Sequence, residues 1–143
     1  MQVKNGRICL NLLGEERNKM SKRKKFMIGL IAIIALVAIY QYPVQRHLAL
    51  TKFQGYINEQ DVEVDNILKK EAFKDWKNGG YVIVVSFKDD VGNKYYYHYF
   101  PWTHQKGEEL KFNRMLLSIV DEKNSVELDA PYEGKCKYPP IEE

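Results

Sequence analysis

From Phe26 to Tyr42 the chain reads FMIGLIAIIALVAIYQY without a charge, directly behind the basic run Lys22, Arg23, Lys24 and Lys25. At about 1.5 Å per residue this stretch is roughly 25 Å long, close to the ~30 Å hydrocarbon core of a bilayer. Ile, Leu and Val each favour insertion by a few tenths of a kcal/mol, whereas one central Lys costs about 2.5–3.5 kcal/mol. The pattern predicts one membrane-spanning helix over 26–42, with Phe26, Leu30, Ile34, Val37, Tyr40 and Tyr42 as its anchor positions. Pro43 should end or kink it. Beyond Pro43, Val44, Leu48, Thr51 and Ile57 recur at roughly helical spacing and predict a juxtamembrane helix over 44–60. Gly55 weakens that helix by about 1 kcal/mol relative to Ala.

The period then changes to that of strands. Gly80–Lys88 is rich in β-branched and aromatic residues, 89–93 supplies turn chemistry, and Lys94–Phe100 returns as the second arm of a hairpin. Asn78-Gly79 is a tight-turn dipeptide, so Ile67–Trp76 should pair on the other side. Leu68, Ala72 and Trp76 also fit a helix, at i, i+4 and i+8. After Pro101, the apolar positions Phe112, Leu116, Ile119 and Val120 predict a second helix over Glu108–Glu122, with Glu108 and Glu109 opposing the positive end of its macrodipole. A fourth strand over 125–128 stays open. Pro139 and Pro140 keep the last residues extended. The fold class is therefore α+β: an N-terminal transmembrane helix, then a small extracytoplasmic domain with a juxtamembrane helix and a three- to four-stranded antiparallel meander. Residues 1–25 form a basic arm, 26–42 the anchor, 43–130 the domain and 131–143 a Pro-containing tail.

Charge gives the anchor a direction. Residues 1–25 hold eight Lys/Arg against two Glu, while 43–143 hold fourteen Lys/Arg against seventeen Asp/Glu. Basic residues near a span stay in the cytoplasm, so Lys22, Arg23, Lys24 and Lys25 are topogenic and the C-terminal domain faces outward. The overall charge of +3 is the sum of these unlike halves and gives no support to nucleic-acid binding. A cleaved secretory signal is the alternative, but Leu36-Val37-Ala38 lacks the small residue three back from a cut. Met20-Ser21-Lys22 is itself a normal start for an anchored chain, so 1–19 are expected to be a possible annotation artefact. Cys9 and Cys136 fall on opposite sides of the membrane and cannot pair within one chain.

The basic start, the single span, the helix holding Tyr56-Ile57, the Asn78-Gly79-Gly80-Tyr81 turn, the Tyr-rich strand and the Tyr138-Pro139-Pro140-Ile141 ending occur in this order. Together, over about 20–143, they resemble a family of small single-span membrane proteins of Gram-positive bacteria, classed as domain of unknown function 3139. The resemblance implies a cell-membrane protein and supplies no catalytic residues.

Catalytic and metal motifs are absent from the sequence. His98, His104, Cys136 and Glu108 lack the spacing of a zinc site. Asp89-Asp90 and Glu108-Glu109 are adjacent carboxylates that a strand would point to opposite faces. Glu59, Asp61, Glu63 and Asp65 alternate, and a solvated edge explains them better than a cation site. No catalytic residue, metal or cofactor is expected, and the chain is read as a non-enzyme. The candidate binding face is aromatic: Tyr95, Tyr97 and Tyr99 share one face of their strand, with Trp102 just beyond. The expected function is a non-catalytic interaction module held in membrane lipid, with a surface protein or peptide as possible partner. A secreted factor or immunity-type protein is the alternative, and a cell-wall enzyme is more remote.

Overall fold

The computed structural model describes residues 21–103 and 109–141, so Cys9, the question of 1–19, His104 and Glu108 lie outside the described residues. The chain divides into two compact units, one ending at Ala35 and the other running Leu36–Glu143.

The described part of the first unit lies in α1 (Lys22–Ile39), which beyond its basic first turn, Lys22–Lys25, is apolar on every side, and which has no buried residue. A helix apolar all round belongs in a protein core or in lipid. This one is exposed throughout. It is long and apolar enough to cross a membrane by length and composition.

In the second unit, Pro43 neither ends nor breaks the helical path. Proline has no N–H, and its ring would clash with the carbonyl four residues back. The backbone widens into a π-helical turn over Tyr40–Val44, where the Gln45 N–H reaches back to the Tyr40 carbonyl. Helix α2 (Gln45–Glu59) follows and passes through Gly55 without stopping. It closes with Asp61 in the left-handed region at φ 55°. The Val62 N–H donates to Ile57 at 2.9 Å and the Asp61 N–H to Asn58 at 3.2 Å, while buried Val62 and Ile57 supply the apolar pair of a Schellman cap.

Five strands form an antiparallel meander in the order β1 (Ile67–Lys74), β2 (Tyr81–Phe87), β3 (Asn93–Thr103), β4 (Lys111–Asp121) and β5 (Val126–Glu127). The first strand and the segment around 125–128 are therefore strands. The helix expected over 108–122 is not formed: β4 pairs with β3 from Asn93↔Asp121 to Thr103↔Lys111. The same residues carry both periods, and the ladder with an eleven-residue strand outweighs local helical spacing. Asn113 sits at φ 55° opposite Pro101, which has no N–H to offer the ladder.

Ala49, Phe53, Tyr56 and Ile57 of α2 cover one sheet face, against Ile83, Val85, Phe87, Tyr95, Tyr97, Tyr99, Met115 and Ile119. The C-terminal segment closes the side of this core, with Tyr138 buried and Cys136 and Ile141 packed against it.

Candidate functional site

Strand parity decides which aromatic face is accessible. Tyr95, Tyr97 and Tyr99 have exposures of 0%, 0% and 2%, and they pair across β2 with Val85, Ile83 and Tyr81 on the side that α2 covers. They are core, so the binding face expected on them is not available. The Tyr97 ring stands edge-on to Phe53 and Tyr56, with centroids 4.9 and 5.6 Å away, and its hydroxyl donates to Gln60 Oε1 at 2.9 Å. Burial pushes the Tyr97 hydroxyl well above the ordinary tyrosine range. Of the four positions, only Trp102 is exposed.

The opposite parity builds the open face. Cross-strand pairing lines up Phe73, Val82, His98 and Leu116 in one row, and Glu71, Val84, Tyr96 and Ser118 in the next. Phe100 lies beside Arg114, and Trp102 beside Phe112. Along β3 the rings of Tyr96, His98 and Phe100 stack in series, 6.4 and 6.5 Å apart. Phe73, Trp102, Phe112 and Leu116 are exposed, Val82 between them is buried by its neighbours, and no described element covers this side. An antiparallel sheet with one wet face normally alternates apolar with polar, and this face departs from that pattern at Phe73, Trp102, Phe112 and Leu116. Burial lowers the His98 pKa below its ordinary value, against weaker opposing pulls from Asp75 and Glu127, so the stack carries a neutral imidazole at pH 7. A shallow depression of about 200 Å³ opens among Lys69, Glu71, Phe73, Val84, Ser86, Lys94 and Tyr96.

The remaining sequence candidates have structural work. Asp90 accepts from the Tyr95 hydroxyl, from Asn93 Nδ2 at 2.9 Å and from the Lys137 N–H at 3.0 Å. Asp89 accepts from Tyr138 at 2.8 Å, from Asn66 and from Lys137. Those donors, Lys137 foremost, hold its carboxyl down to about 2. Glu59 ends α2, Asp61 caps it and Asp65 lies in a 3-10 turn over Val64–Asn66, so the alternating acids do not share an extended strand. Among the described residues no group of three or more His, Cys, Asp or Glu is placed to hold a metal ion. The Tyr-Pro-Pro-Ile ending is docked rather than free: Gln60 Nε2 donates to the Pro139 carbonyl at 2.8 Å and the Ile141 N–H to Tyr56 Oη at 2.9 Å. Sequence reasoning missed Phe73, Leu116 and Phe112 as open-face residues. Leu116 and Phe112 were hidden by the helix expected over 108–122, and Phe73 because β1 alone does not show which of its faces is covered.

Residues 23–97 match the model of a family described as protein of unknown function (DUF3139). No match was found among curated proteins or among solved structures.

Proposed function

The chain belongs to the DUF3139 family, and from that premise we propose that it is a single-pass membrane protein whose C-terminal α+β domain is a non-catalytic interaction module at the cell surface. Its N-terminus lies in the cytoplasm and its domain outside. The carrying observation is the pairing of two unpartnered apolar surfaces in one chain: a helix exposed on every side, and a sheet face that nothing described covers. The basic residues 22–25 set the orientation of the first. The second takes a surface protein or peptide, with Phe73, Val84, Tyr96, His98 and Leu116, from two adjacent rows, as the contact residues. The anchor holds the domain in a thin layer beside the bilayer, which raises the effective concentration of a weak partner.

Protease added to intact cells should remove the C-terminal domain while leaving the basic arm, and alkaline washing should leave the chain in the membrane fraction. Release into the soluble fraction, or full protection of the C-terminus, would overturn the assignment. For the face, Leu116→Asp and Tyr96→Ser should keep the fold and lose partners captured from detergent-solubilised membranes. Retention of every partner by both folded variants would rule out these contact residues.

A further inference from the structure

Three separate segments bring large exposed rings to one end of the second unit. Trp76 stands in the β1–β2 turn at 71% exposure, Trp102 near the end of β3 at 62%, and Phe112 near the start of β4 at 65%. This end is tied to Gln41 and Tyr42, the last residues of the apolar stretch. The Tyr81 hydroxyl donates to the Tyr42 carbonyl at 3.0 Å, Lys74 Nζ donates to Gln41 Oε1 at 2.9 Å, and the Trp76 ring meets Tyr42 edge-on, 5.8 Å between centroids.

Strands β3 and β4 overhang in the same direction. Tyr99 pairs with Tyr81, the first residue of β2, and the hairpin continues through Phe100↔Arg114, Trp102↔Phe112 and Thr103↔Lys111. At ~3.3 Å per residue that continuation reaches roughly 13 Å beyond the edge of β2. Its rings are therefore carried past the level of Tyr81, on the side where Tyr42 lies.

Charge sorts along the same axis. Arg46, Lys74, Lys77, Lys111 and Arg114 belong to this end, against Asp75 and Glu109. The opposite end gathers Asp61, Glu63, Asp65, Asp89 and Asp90, against Lys88 and Lys137. Trp and Tyr prefer the headgroup layer, where an apolar ring body and a polar edge are both satisfied, and Lys and Arg there meet lipid phosphate.

We propose that Trp76, Trp102 and Phe112 form a second, non-spanning membrane contact that seats this end of the domain in the headgroup layer of a phosphate-bearing lipid bilayer. The inference rests on the membrane-anchored reading above. Continuity with the apolar helix and the basic end of the domain favour lipid over a second copy of the chain. Lipid contact would hold the aromatic row from Phe73 to Leu116 in a fixed attitude to the surface and leave it open to a partner.

The chain has two tryptophans, Trp76 and Trp102, so its indole fluorescence reports this contact directly. The full chain would be reconstituted into vesicles of equal parts phosphatidylglycerol and phosphatidylcholine, with and without bromine on the upper acyl carbons. Trp76→Phe and Trp102→Phe isolate each indole, and circular dichroism checks the fold. The expected result for both single-tryptophan chains is blue-shifted emission, loss of most intensity to the brominated lipid, and shielding from aqueous acrylamide. Water-like emission from a chain that floats with the vesicles would overturn the contact while leaving the anchor intact. Shielding from acrylamide without quenching by bromine would place a protein surface there instead and would also overturn it. A chain that does not float with vesicles would sink the anchored reading, and this inference with it.

Discussion

Gly79 and Gly80 are neighbours in the β1–β2 turn, yet they need glycine for different reasons. Gly79 takes φ 69° in open space, whereas a Cβ on Gly80 would stand 2.1 Å from the Tyr99 carbonyl oxygen at φ 124°. Asn tolerates the left-handed region, so Gly79→Asn should cost only a few tenths of a kcal/mol. Gly80→Ala should cost on the order of 3 kcal/mol, because it combines a strained φ with a clash against a sheet carbonyl that cannot move alone. Thermal melts of the chain in detergent micelles, followed by circular dichroism, would separate the two; equal losses would contradict the close approach. Tyr97 offers a second test at this scale. Tyr97→Phe removes one hydrogen bond to Gln60 and should cost about 1–2 kcal/mol, while Tyr97→Ala empties a fully buried site and should cost about 3–5 kcal/mol. A near-neutral Tyr97→Ala would return this residue to the accessible face.

Among the elements, β2 and β3 were legible because branched and aromatic residues crowd between turn-forming clusters, and α2 because apolar positions recur at helical spacing, although Val44, Leu48 and Thr51 of that spacing are exposed and the buried face is Ala49, Phe53, Tyr56 and Ile57. The choice of core face was not legible within β3, where rings occupy both parities: Tyr95, Tyr97 and Tyr99 on one side, Tyr96, His98 and Phe100 on the other. That choice is made by distant residues, since Phe53 and Tyr56 of α2 and Tyr138 of the tail pack against the odd-numbered rings. Strand β4 was misread for a related reason. Met115, Leu117 and Ile119 alternate inward, but Phe112, Leu116 and Ile119 also fit a helix, and only the partner strand resolves the two. One local device does repeat in readable form. Asp75-Trp76-Lys77-Asn78 and Asp121-Glu122-Lys123-Asn124 use the same Asp-x-Lys-Asn turn, in which Asp Oδ1 accepts the N–H groups two and three residues on. Residues Gly79 and Ser125 follow in the left-handed region. Ser125→Gly should therefore raise stability by a few tenths of a kcal/mol, measured as a higher melting midpoint, since glycine adopts that conformation without steric strain. A fall in the midpoint would mean that the serine side chain contributes more than its backbone costs.

At the scale of the whole molecule, the C-terminal segment acts as a strap that joins parts of the fold far apart in sequence. Tyr138 reaches Asn66 and Asp89 through its hydroxyl, and Ile141 reaches Tyr56 through its N–H. Asp89 is the charged end of this clasp, with its carboxyl held at about 2 against an ordinary 3.8 by Lys137 first, then Asn66 and Tyr138. A carboxyl whose pKa is depressed by folding contributes stability that is fully present above its unfolded value and is lost as the pH falls through its folded value. The stabilisation that Asp89 gives the strap should thus hold steady down to about pH 4 and disappear as the pH falls toward about 2. Because Asp89 is in contact with water, the effect should also shrink with added salt. Asp89→Asn should melt below the wild type near neutral pH and converge with it at about pH 2, as read by thermal melts in micelles across the acid range. Limited proteolysis should follow the same course, with cleavage around 138–141 appearing in the wild type only below about pH 4 and in the variant at neutral pH. A gap between the two proteins that persists unchanged to about pH 2 would mean that the asparagine harms the clasp through shape rather than charge, and that Lys137 does not hold the strap by its attraction to Asp89.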